Sequence, residues 1–160
     1  MTVFRDYRDA LAALVTTDPV FAAAIAALVG QPVTNVIKTN RPMHEIQFGD
    51  YPCWVFEAGD GSSASVTNET SEYQSIGLSL QSSVIDMHVA LVWTDQDRNR
   101  ASDARVDLPF HFTQLMLRNP QPGGCEQAVL SGWQPDKGAN HPTQVWYALI
   151  KSAHVVQRDS

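Results

Sequence analysis

Residues 91–106, "LVWTDQDRNRASDARV", place three carboxylates and three arginines directly after an apolar run. Asp95, Asp97 and Asn99 stand at the first, third and fifth positions from which a calcium loop draws oxygen ligands. The sixth position of such a loop needs glycine for a sharp turn, and here it is Arg100. The twelfth should be a bidentate glutamate, and it is Val106. An arginine in the turn and no closing carboxylate argue against a cation site. Two readings stay open. In one, the corner is solvated and its charges pair among themselves, which contributes little to stability. In the other, Arg98, Arg100 and Arg105, with Asp95 and Asp97, form the rim of an interface between subunits and set its register. On that second reading, alanine at Arg98 and Arg100 weakens assembly and leaves the fold intact.

Other candidate chemistry is dispersed. None of the five histidines, His44, His88, His111, His141 and His154, forms HxH, HExxH or a Cys/His pair at zinc-ligand spacing. His88 and His154 lie in strand-like runs and His111 in a helix-like one, so all three read as hydrogen-bonded structural residues. Cys53 and Cys125 lie outside any CxxC spacing and read as small buried thiols, with a single disulfide left open. "SGW" (131–133) lacks the glycine of a nucleophile elbow, and "PGGC" (122–125) lacks the lysine and helix of a phosphate loop. No catalytic residue, metal or cofactor is therefore expected.

The elements that would position these residues follow from periodicity. Phe4, Tyr7, Leu11 and Leu14 share a helical face. Asp18 and Pro19 read as N-cap and first residue of a second helix, with Phe21, Ala24, Ile25 and Leu28 as its stripe and Gly30 and Pro32 as its stop. "NVIKT" (35–39) is a weak strand and "YPCWVFEA" (51–58) a better one, with Pro52 confined to an edge or an unpaired position. Residues 59–75 are polar and read as a long projecting loop. Ile85, Met87, Val89, Leu91 and Trp93 alternate without a break, the mark of a strand with one wholly apolar face. Ile76, Leu78 and Leu80 alternate in the opposite phase, so a hairpin or bulge is expected at Ser82-Ser83. A third helix follows, capped by Ser102 or Asp103, started or kinked by Pro109, and offering Val106, Phe110, Leu115 and Leu117 as apolar surface. "CEQAVLSGW" (125–133) and "TQVWYALIKSAHVV" (143–156) are strands around a second projecting loop at 134–142, and the last, apolar on both faces, belongs inside a sheet. The order predicts one α+β domain over 1–160, a single mostly antiparallel or mixed β-sheet with helices packed on a face.

Bulk properties narrow the class. A chain of 160 residues that is 44% hydrophobic and 18% charged can bury a core of its own. Its net charge of −6, from 17 acidic and 11 basic residues, repels phosphate backbones and argues against a dedicated nucleic-acid binder. The charged start "MTVFRDYRDALAAL" does not read as a secretory signal, and no apolar run reaches the roughly eighteen residues that cross a bilayer. A soluble, intracellular chain is expected.

The layout resembles the tail terminator proteins of long-tailed bacteriophages, also called minor tail or tail completion proteins. The matching features are "FRDYRDALAAL", "YPCWVFEAGD", the polar loop, the alternating strand running into "TDQDRNRASDARVD", and the closing "QVWYALIKSAHVV". The likeness covers nearly the whole chain and lies in pattern. It implies a non-enzymatic virion subunit, made in the host cytoplasm, that closes into a homohexameric ring on the finished tail tube. Such a ring stops tube polymerisation and offers the surface on which the head docks. Its partners would be further copies of itself, the tail tube protein and the head–tail connector or stopper, with DNA only passing through the channel and no membrane involved. The alternatives are a neighbouring neck protein, a small enzyme, and a monomeric binding module using residues 59–75.

Overall fold

The computed structural model describes residues 3–38, 46, 48–56, 65–69, 80–135 and 141–157. The amino-terminal helices form as the sequence dictates. Helix α1 (Val3–Thr17) buries Tyr7, Leu11 and Val15, and α2 (Pro19–Val29) buries Phe21, Ile25 and Val29. They meet at an angle of 68°. Asp18 sits at the bend, where its Oδ1 accepts from the Phe21 backbone N–H at 2.9 Å. Arg118 and Asn119, at the end of the third helix, donate to the same carboxylate. Burial opposes its ionisation, but these three hydrogen bonds outweigh that and hold the carboxyl below its ordinary range. Asp18→Ala is expected to cost about 1–2 kcal/mol, read as a lower urea midpoint with an unchanged slope. Gly30 ends α2 in the left-handed region at φ 87°.

Among the described residues six strands make one mixed sheet: β1 (Asn35–Ile37), β2 (Cys53–Phe56), β3 (Ser65–Glu69), β4 (Leu80–Thr94), β5 (Gln127–Pro135) and β6 (Thr143–Gln157). The main path runs β1-β2-β4-β6-β5, with β1 parallel to β2 and the other pairs antiparallel. The fold is α+β with helices on one face, as expected. Strand β2 starts immediately after Pro52, which leaves the proline outside the ladder. Strand β6 lies inside the sheet between β4 and β5, as its two apolar faces required.

Two expectations about β4 and its neighbour are corrected. No hairpin or bulge occurs at Ser82-Ser83, because β4 pairs with β6 in one unbroken register from Leu80↔Gln157 to Thr94↔Thr143. The other side of the backbone at 82–86 is occupied as well, by β3. A strand held on both sides has no room to fold back. Residues 65–69 are therefore not loop but strand, while the rest of 59–75, together with Ile76 and Leu78, lies outside the described residues. Phe56 pairs with Val89 and Ser65 with Asp86, so β2 and β3 follow the same edge of β4. Gln134 and Pro135, placed in the second loop by sequence, extend β5, and 136–140 lie outside the described residues.

The third helix, α3 (Arg98–Arg118), also departs from expectation. Asp97 caps it, rather than Ser102 or Asp103, by accepting from the Asn99 and Arg100 N–H groups. It runs through Pro109, which forfeits one backbone bond. Burial of Ala104 and Leu108 before the proline, and of Phe112 and Leu115 after it, offsets that loss.

The main core lies between sheet and helices. Ile85, Met87, Val89, Leu91 and Trp93 of β4 meet Trp54, Phe56, Trp146 and the buried faces of all three helices. Phe112 is its hub, with ring centroids 5.5 Å from Phe21, 6.0 Å from Trp54 and 5.7 Å from Trp146. A smaller cluster on the reverse face joins Ile37, Ile46, Cys53, Val55, Ala90, Val92 and Val145. Cys125 belongs to the main core and Cys53 to the reverse cluster, so the disulfide left open by sequence does not form.

Candidate functional site

The charged corner at 95–105 turns out to be a device for seating α3. Asp95 is 2% exposed, and Arg100 grips it with a fork, Nε to Oδ2 at 2.7 Å and a terminal nitrogen to Oδ1 at 2.9 Å. Oδ1 also accepts from the Asp97 N–H at 2.9 Å. The Arg100 fork lowers the pKa of Asp95, against burial, which raises it. Both oxygens that a cation would need are thus taken by donors within the chain. Arg105 donates to Gln144 Oε1, and Gln144 in turn donates to the Pro142 carbonyl, which also receives the Asp95 N–H. The corner ties the start of α3 to the start of β6.

Arg98 differs from its neighbours. It is exposed and makes no hydrogen bond or ion pair among the described residues. The paired substitution at Arg98 and Arg100 therefore no longer tests one thing. Arg98→Ala should leave stability within about 0.5 kcal/mol of the wild type. Arg100→Ala should clearly lower the thermal midpoint, because it strands the buried Asp95 carboxylate. Equal midpoints for the two variants would contradict this assignment.

What the corner positions is the outer face of α3. Of the four side chains that the sequence offered as apolar surface, Val106, Phe110 and Leu117 face outward, at 73%, 61% and 75% exposed. Only Leu115 of that set is buried; the inward stripe is Ala101, Ala104, Leu108, Phe112, Leu115 and Met116. Trp133 on β5 is 55% exposed and lines an open groove of about 720 Å³ with Arg105, Val106, Pro109 and Phe110. A register shift between Leu130 and Gly132 puts it there. Without that bulge Trp133 would oppose Tyr147 on the reverse face; with it, Trp133 opposes Ala148, whose side chain lies in the helix-side core. Four large apolar side chains exposed to this degree present on the order of 400–500 Å². That is the size of the largest patch on an ordinary monomer, which is often functional.

One buried pair resembles chemistry. Ser152 Oγ and His154 Nε2 lie 2.7 Å apart, and the Tyr7 ring of α1 meets the His154 ring edge-on at 4.9 Å. A serine beside a histidine is how a nucleophile is activated. Here the two are 2% and 4% exposed beneath α1, so neither side chain is presented to solvent. His154 is a hydrogen-bonded structural residue, as its strand position suggested. Burial lowers its pKa, so the folded chain keeps it neutral. The unfolded chain protonates this group below about pH 6.5, and the stability present above that pH is lost as the pH falls, by at most ~1.4 kcal/mol per unit. Urea unfolding at pH 7.5 and 5.5 should show a smaller difference for His154→Gln than for the wild type.

Among the described residues no group of three or more His, Cys, Asp or Glu side chains could hold a metal ion. His88 and His111 are half-buried and His44 lies outside the described residues. Neither a family model nor a curated protein matches the chain.

Proposed function

We propose that this chain is a structural subunit that works by self-association, and that its setting is the tail of a long-tailed bacteriophage. There a ring of copies would cap the finished tail tube, stop its polymerisation and present the surface on which the head docks. The observation that carries the reading is the outward stripe of α3, Val106, Phe110 and Leu117, continued by Trp133. A stripe built on a rigid helix and completed by a bulge that re-aims a tryptophan suits a binding surface better than a solvent face.

The adjoining sheet edge supports the same reading. Strand β5, "QAVLSGWQP", is an open edge among the described residues and carries no charged side chain, whereas edges exposed to water are ordinarily guarded by charge. Contacts between unlike patches close into rings when the rotation per subunit fits. The net charge of −6 suits a channel through which DNA slides without adhering. The tube protein, the connector or stopper and further copies of the chain would be its partners in the virion. A neck protein shares the self-association but not the effect on tube growth.

The test is to polymerise the tail tube protein of the same phage with increasing amounts of this chain and measure tube lengths by electron microscopy. The reading predicts shorter tubes that carry a cap at one end. An unchanged length distribution with bare ends would refute it.

A further inference from the structure

We infer that the α3 stripe of one copy docks into the reverse face of the β5–β6 edge on a second copy, in a head-to-tail contact. This deepens the reading above by naming the counter-surface, and it rests on the self-association proposed there.

The bulge in β5 divides that strand's exposed apolar side chains between the two faces of the sheet. Trp133 goes to the helix side, while Val129, 43% exposed, stays on the reverse side opposite Lys151. Val84, Val129 and Ala153 there line a hollow of about 340 Å³, with Lys151 among its walls. Register puts all four on the reverse face, since Ile85, Ile150 and Ser152 between them face the helices. One edge thus carries a raised apolar stripe on one side and an apolar hollow on the other. The two cannot meet within a single molecule.

Charge selects the second copy's hollow over its stripe. Asp103 and Asp107 are exposed on α3, three residues before Val106 and Phe110 respectively, and neither has a hydrogen bond or ion pair among the described residues. Stripe against stripe across a twofold axis would bring these carboxylates together, which is costly in an interface that excludes water. The hollow instead offers Lys151, half exposed and 3.9 Å from Asp86, a distance that leaves its ammonium available to a nearer carboxylate. Area agrees with this arrangement. The stripe supplies on the order of half of the roughly 800 Å² that each partner buries in a stable contact, and its polar flanks can supply the remainder.

The test is a charge exchange followed by sedimentation velocity. Asp107→Lys and Lys151→Glu should each associate about tenfold more weakly than the wild type, because each sets like charges against one another at the contact. An equimolar mixture of the two variants should recover wild-type association, since the new lysine of one chain then faces the new glutamate of the other. Where thermal melting shows that Lys151→Glu does not fold, Val129→Glu replaces it in the same mixture. A mixture that stays as weak as its components, beside a wild type that associates, overturns the assigned counter-surface and leaves self-association standing. A wild type that never associates, either alone or with the tail tube protein, overturns both.

Discussion

Phe110→Asp is expected to weaken self-association by about thirtyfold or more while leaving the thermal midpoint nearly unchanged. The first half follows from place. Phe110 lies mid-stripe, between Val106 and Leu117 and beside the Trp133 groove, where a buried aromatic anchor contributes 2 kcal/mol or more and each ~1.4 kcal/mol is tenfold in Kd. The second half follows from exposure. At 61% exposed, the ring contributes little to the monomer's core, so substitution falls within about 0.5 kcal/mol. Sedimentation velocity reads the first effect and thermal melting the second. Unaltered association in a folded variant would remove the stripe from the account.

Phe112→Ala, two residues further on, is expected to do the reverse. Its ring is fully buried and packs on Phe21, Trp54 and Trp146, which joins α2, β2 and β6 through α3. Removing it leaves a cavity bounded by large aromatic side chains that cannot collapse into it, and the loss should be about 3–5 kcal/mol. Against the 5–15 kcal/mol typical of a whole domain, that is a large share. Urea unfolding monitored by tryptophan fluorescence should show it. A loss below about 1 kcal/mol would mean that α3 is not anchored through this residue. Positions 110 and 112 thus separate the two faces of one helix, one proposed to serve assembly and the other holding the core.

The two faces were not equally legible. Asp18-Pro19 announced the bend between α1 and α2 because capping is a local interaction, decided within three residues. The unbroken alternation from Ile85 to Trp93 announced β4 for a similar reason, since period two is a property of one strand. Helix α3 misled because it has two apolar faces. Ala101 and Ala104 begin the inward stripe, and alanine is a weak hydrophobic signal beside Val106 and Phe110. The cap at Asp97 would have set the phase correctly, but the aspartates around it read equally well as a self-paired solvated corner or as rim charges. Pro109 suggested a start or a kink, and the helix does not start there, because burial on both sides of the proline holds it together. Trp133 needed the bulge opposite β6, and a bulge is a relation between strands that no single stretch of sequence carries. Strand β3 was hidden for the same reason. "SVTNE" is polar, and only its ladder to residues 82–86 of β4 makes it a strand.

The charged corner mixes a seating network with an exposed charge, and composition does not separate the two. Asp95, Arg100, Arg105 and Gln144 fasten α3 to the sheet, and Arg98 alone among its arginines is left outside that network. The seating network serves the outer stripe indirectly, by fixing the helix that displays it.

Sedimentation velocity over a concentration series, with and without the tail tube protein, tests the central claim most directly. The account predicts a closed oligomer of one defined mass, formed by the chain alone or on the tube, that Phe110→Asp abolishes. A chain that remains monomeric at every concentration, and does so in the presence of the tube protein, would contradict it.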